Sequence, residues 1–287
     1  MPVTRAVIAW LRDQGAQPFI FPAMGSHGGA TADGQRQMLA ELGVTEESTG
    51  AEIRATMDVV EIGQVEDGPR LFQDANAHAA DYTLLINRIK PHTDFHGPLE
   101  SGLAKMCVIG LGKQYGASMM HAYGGAGFRR YLGPAAMPVL LSSIEKSDAG
   151  ALQDRLRGAM EGLGRRYSDQ LLQLLRDGDA FVVRGAARLA GQLALTEAAR
   201  PLAGLLERAE PAMRRIAVDA LTRIRTASAM DVLQRALTDD DRDVRIAAAR
   251  GLGSLRYPPA RERLEELLES RIVRDADITE KIAFFEA

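Results

Sequence analysis

From residue 167 onward the apolar positions of the chain recur at a fixed interval. Leu171, Leu202, Leu233 and Leu264 stand 31 residues apart, as do Leu175, Leu206, Leu237 and Leu268. A second register runs between them: Val183-Arg184, Met213-Arg214 and Val244-Arg245, with Ala187, Ala217 or Ala248 four residues after the first member. Each period predicts a helix, a short turn and a second helix. The first helix carries small residues (Ala186, Ala190, Ala220, Ala247) that admit a close neighbour, and the second carries the leucine pairs at helical spacing. Punctuation such as Asp177-Gly178-Asp179, Pro211 and Asp239-Asp240-Asp241 falls where turns and helix starts are needed. One hairpin cannot bury its apolar face alone, so successive hairpins must stack.

The first half follows another pattern. Val3–Gln14 and Thr31–Leu42 predict amphipathic helices, the latter capped by Thr31. Pro18–Met24, Met57–Ile62 and Tyr82–Asn87 are apolar runs of strand length, and Pro98–Ile109 and Ala117–Tyr123 predict further helices. Strands alternating with helices argue for a mostly parallel sheet, with any ligand beyond the carboxyl ends of the strands. The expected architecture is therefore a partial α/β domain over 1–145, a helical transition over 146–166, and an all-α solenoid over 167–287.

The repeating half resembles the HEAT family in its short-repeat form. Leucines and alanines at these positions are expected to be core. The arginine fixed in each repeat is expected to pair with an aspartate of the neighbouring hairpin. The resemblance implies a surface for a protein partner. The final Phe284-Phe285-Glu286-Ala287 falls inside an apolar helix with no polar repeat after it, which predicts a truncated solenoid whose last helix is exposed or used in association.

Chemistry-bearing residues gather at two expected strand ends. After Met24 comes Gly25-Ser26-His27-Gly28-Gly29-Ala30-Thr31, whose glycines permit a tight turn or could cradle a phosphate against the following helix. After Asn87 comes Arg88-Ile89-Lys90-Pro91-His92-Thr93-Asp94-Phe95-His96-Gly97, then Ser101-Gly102-Leu103-Ala104-Lys105, and later His121. The remaining histidine, His78, is read as surface. Together these segments resemble the nickel-dependent lactate racemase family over roughly residues 1–145. The resemblance implies His27 and His92 as the paired catalytic bases and Lys105 as the covalent tether of a nickel-pincer nucleotide. It implies Gly25, Gly28, Gly29, Ser101 and Gly102 as cofactor contacts and His121 as the nickel ligand. Two imidazoles suit the task, because racemising a 2-hydroxy acid needs a base on each face of one carbon and imidazole titrates near neutrality; imidazole also suits nickel. The chain departs from the family at Leu103, where a glycine stands, in lacking an earlier strand and loop, and in carrying helical repeats in place of the second domain.

Composition narrows the partners. The net charge is −3, with 12 Lys/Arg against 16 Asp/Glu in residues 1–150 and 23 against 22 afterwards, so no basic face for nucleic acid is expected. No apolar run approaches the roughly 18 residues of a membrane span, and the start has no signal-peptide pattern, which together predict a cytoplasmic protein. The single cysteine, Cys107, excludes an intrachain disulfide. Two functions compete. One is a racemase-like isomerase of a 2-hydroxy acid, incomplete as an enzyme and fused to a protein-binding solenoid. The other is a non-catalytic interaction or scaffold protein whose repeats bind a protein partner.

Overall fold

The computed structural model describes residues 2–87, 102–146, 158 and 160–287. The chain divides into two compact units, Met1–Ser147 and Asp148–Ala287.

In the first unit, helix α1 (Pro2–Asp13) is followed by an extended stretch and the glycine loop, then by α2 (Ala32–Glu41) and α3 (Glu46–Thr49). Thr31 accepts the Gly34 amide at 3.1 Å and caps α2; Thr45 and Ser48 form a reciprocal capping box on α3. Strands β1 (Val59–Gln64) and β2 (Arg70–Asp74) form an antiparallel pair. Asp74 ends β2 and caps α4 (Ala75–Ala79), its Oδ1 accepting the amides of Asn76 and Ala77. After residue 101 come α5 (Leu103–Lys105), a π-helical turn (Met106–Gly110), α6 (Lys113–His121) and the long α7 (Gly124–Lys146). The core joins Val65 and Leu71 of the hairpin region to Cys107, Val108 and Leu111, Met120 of α6, and Phe128, Leu132 and Ala136 of α7. The Tyr131 hydroxyl donates to the Asp67 carbonyl at 3.0 Å and fastens α7 to the hairpin turn.

The expected parallel α/β sheet is not what forms. Among the described residues the only sheet is the two-stranded antiparallel hairpin. The loop joining its strands, residues 65–69, is far too short for a parallel crossover, which needs a dozen residues or more. Pro18–Met24 makes one isolated parallel bridge, Ile20 to Ile53, instead of a strand. Pro18 and Pro22 remove two donors from that run, which limits pairing. Tyr82–Asn87 belongs to no strand, with Tyr82, Leu84 and Ile86 exposed.

The second unit is helical: α8 (Ser168–Leu174), α9 (Ala180–Gln192), α10 (Ala199–Arg208), α11 (Pro211–Ile224), α12 (Ala227–Ala236), α13 (Arg242–Ser254), α14 (Ala260–Glu269), α15 (Arg271–Arg274) and α16 (Ile278–Glu286). Helices α9, α11 and α13 pack side by side and α10 packs beside α12. Leu171, Leu202 and Leu233 are wholly buried and Leu264 nearly so. Ala187, Ala217 and Ala248 are likewise sealed between neighbours. The second leucine register is less uniform. Leu175 and Leu237 are buried, whereas Leu206 and Leu268 are half-buried because Leu205 and Leu267 take the inner positions. Close approach is visible at Gly191, where an added Cβ would lie 2.7 Å from the Ala220 Cα. In α16, Phe284 is buried while Ile278, Ile282 and Phe285 are exposed. No helix among the described residues is long and apolar enough to cross a membrane.

Candidate functional site

The glycine loop of the first unit is shaped by its own backbone. Gly25, Gly28 and Gly29 all have positive φ (60°, 67° and 64°). A Cβ on Gly28 would lie 2.5 Å from the Gly34 carbonyl carbon, so the loop presses directly on α2. His27 itself is exposed. The loop also reaches the later segment: the Gly25 amide points to the Gly110 carbonyl at 3.4 Å, and a Gly25 Cβ would touch Ile109 and Ala117. The glycine loop, the π turn after Lys105 and the helix ending at His121 therefore meet.

Lys105 is half-buried at the end of α5, behind Gly102 at φ 82°. His121 is exposed at the last position of α6, its ring edge-on to Phe128 with centroids 5.1 Å apart. His92 and Ser101 lie outside the described residues, as do Lys90 and His96. Among the described residues no three His, Cys, Asp or Glu side chains gather to hold a metal. A cavity beside Cys107, lined by Ile62, Leu71, Phe72 and Val108, measures about 10 Å³; that is room for one water molecule, not a nucleotide. Burial pushes the Cys107 thiol up to about 12, so it is a packed, protonated side chain rather than a nucleophile.

What the motif reading missed in this region is Lys113. It is fully buried, and its Nζ stands 2.9 Å from Asp74 Oδ2 and 3.0 Å from Gln35 Oε1 while donating to the Pro22 carbonyl. Gln35 in turn donates through Nε2 to the carbonyls of Gly25 (2.8 Å) and His27 (3.2 Å). One ammonium thereby ties β2, α2 and α6 to the glycine loop. Burial lowers its pKa, and the hydrogen bond and charge of Asp74 oppose that shift. The sequence signal was a lysine flanked by apolar residues and glycines, in Leu111-Gly112-Lys113-Gln114-Tyr115-Gly116.

The second unit offers a different kind of site. The fixed arginines form a ladder of pairs between successive hairpins. Arg214 grips Asp239 in a two-pronged pair at 2.9 and 2.7 Å and donates to the Ala209 carbonyl. Arg245 does the same to Glu280, at 2.5 and 3.0 Å, and also donates to the carbonyls of Asp239 and Asp240. Arg184 approaches Glu210 only to 3.8 Å. Two of the three acidic partners are thus glutamates, not the aspartates expected. Asp239 raises the pKa of the Arg214 guanidinium, chiefly through that hydrogen bond.

Between α10 and α12 runs a groove of about 220 Å³. Ala203, Leu206, Val232 and Ala236 make its floor, and Glu207, Arg235 and Asp239 its rim. Asp239 is held by Arg214. Glu207 and Arg235 are exposed and have no ion-pair partner among the described residues. The ladder stiffens the scaffold and, among the described residues, leaves the groove rim with one free charge of each sign.

A family model described as HEAT repeats matches residues 199–278. These residues are HEAT repeats. The matched stretch contains the groove and the Arg214–Asp239 pair. None of the curated proteins matches the chain. Among solved structures it is similar to the complex of CpcE and CpcF of phycocyanin lyase from Nostoc sp. PCC7120, at 22% identity over 52% of this chain and 98% of that chain, with a TM-score of 0.41. It is also similar to an engineered protein, at 21% identity over 56% of this chain and 81% of that one, with a TM-score of 0.32. Neither the family match nor these structures carries the racemase resemblance of the first unit.

Proposed function

We propose that the chain is an interaction protein that binds a protein partner through its HEAT repeats. The observation that carries this reading is the groove between α10 and α12. Its volume, about 220 Å³, falls below the roughly 300–1,000 Å³ of small-molecule pockets. An apolar floor ringed by charge is the build of a pocket for an anchor side chain of another protein. Stacked helices bring such a floor together from two hairpins and hold it rigid. The test is capture: the immobilised chain is exposed to a lysate of its source cells beside a Leu206→Arg variant. A protein retained by the native chain and depleted roughly tenfold by the charge on the groove floor, with unchanged helical circular dichroism, is expected. Equal retention by both chains would sink the reading.

A second reading is favoured by the meeting of the glycine loop, the π turn after Lys105 and the helix ending at His121. In it the first unit keeps part of a racemase-like site, with His27, His92 and His121 as its imidazoles, Gly25, Gly28, Gly29, Ser101 and Gly102 as cofactor contacts, and Lys105 as the tether of a nickel-pincer nucleotide for a 2-hydroxy acid substrate. Co-production with the enzymes that build that cofactor decides it. A stoichiometric nickel content and an added mass, both lost in Lys105→Ala, are the expected result; an unmodified, nickel-free chain removes the reading.

A further inference from the structure

We infer that the groove between α10 and α12 selects its partner by charge order: an apolar side chain seated on the floor, a basic residue toward Glu207 and an acidic residue toward Arg235. This deepens the protein-binding reading and rests on it. The floor, represented by Leu206 and Val232, is apolar and offers an inserted group no hydrogen bond from its side chains, so the anchor must be apolar.

The rim then decides which anchor-bearing segments are accepted. Glu207 stands on the α10 wall and Arg235 on the α12 wall, each one position before the end of its helix. They are not paired with each other or with any other described residue, whereas Asp239, the third charge of the rim, is already neutralised by Arg214 at 2.7 Å. A seated segment therefore meets one negative and one positive charge on opposite walls. A segment with the matching pair gains two ion pairs at the edge of a desolvated floor, and one with the order reversed meets two like-charge contacts. The same rim disfavours a phosphate chain, since among the described residues its one free cation, Arg235, is matched by the free carboxylate of Glu207 and offers no positive excess. It equally disfavours a uniformly basic tail, which Arg235 would repel. The occupant is a mixed-charge protein segment.

The experiment is selection from a phage-displayed library of random peptides on the full chain and on a double variant, Glu207→Arg with Arg235→Glu. Both positions are exposed, so the swap leaves the fold in place, which circular dichroism checks. The native chain is expected to enrich peptides with an apolar residue flanked by one basic and one acidic residue. Those peptides should bind the swapped chain roughly tenfold more weakly, and selection on the swapped chain should return the reverse order. Hydrogen exchange of the bound native chain should show protection within 199–208 and 227–236. Peptides that bind both chains equally overturn the inference. So do peptides that protect other helices of the repeats, which would leave the broader protein-binding reading standing. A library that yields no binder overturns the inference alone, because the capture experiment with Leu206→Arg tests the broader reading independently.

Discussion

The two chemically loudest buried residues of the first unit, Cys107 and Lys113, are both structural. Cys107 is 2% exposed and its thiol is pushed up to about 12, so it carries almost no thiolate at neutral pH. A thiol reagent should leave the native chain unlabelled and react in full once denaturant is added; rapid native labelling would contradict the packing described. Lys113 is more consequential. Replacing it by methionine keeps the volume but leaves the Asp74 carboxylate buried without its cation, a change that costs about 3–5 kcal/mol. Urea unfolding of Lys113→Met should register a loss of that order, and amide exchange of residues 25–29 should quicken because Gln35 loses its donor. A loss under about 1 kcal/mol would mean the pair is solvated. The sequence exposed half of this arrangement. Thr31 as a helix cap follows from local chemistry, and the positive-φ glycines follow from composition. The lysine's burial does not, because it depends on Pro22, Gln35 and Asp74 arriving from three distant segments.

At the scale of elements, the repeats were legible because a solenoid writes each contact several times. Leu171, Leu202 and Leu233 occupy one environment reached at a constant interval. Helix α7 was not, since Pro134 and Pro138 inside it read as breakers, and apolar runs such as Pro18–Met24 do not encode which strand they pair with. Two glycines of the repeats behave oppositely under substitution. Gly191→Ala would drive a methyl to 2.7 Å from the Ala220 Cα and should cost about 1–3 kcal/mol through overpacking. Gly204, inside α10, faces open space, so Gly204→Ala should gain about 0.5–1 kcal/mol from helix propensity. Thermal unfolding that gave both changes the same sign would refute the helix packing. The ladder makes a graded prediction. Arg214→Ala strips the partner from Asp239, whose side chain is 11% exposed, and should cost about 1–3 kcal/mol. Arg184→Ala loses a distant contact to a mostly exposed Glu210 and should cost at most about 1 kcal/mol.

Taken over the whole molecule, charge argues about partners more firmly than about fold. The net charge is −3 and the second half is balanced, so the arginines of the repeats could serve nucleic acid only if they were free and collected on one face. Five of them are engaged in pairs within the repeats. Arg214 and Arg245 hold Asp239 and Glu280, Arg242 holds Asp277, and Arg261 and Arg263 pair along their own helix with Glu265 and Glu266. A phosphate backbone recruiting these five would have to break their pairs and would leave the carboxylates facing it. Counterion release, the main source of nucleic-acid affinity, would draw on these five cations only at the cost of their pairs. Labelled duplex DNA and single-stranded RNA titrated with the full chain at low salt should show no change in fluorescence anisotropy. Binding that weakened steeply with added salt would reveal a cationic surface these pairs do not supply, and would shift the partner of the HEAT repeats from a protein to a nucleic acid.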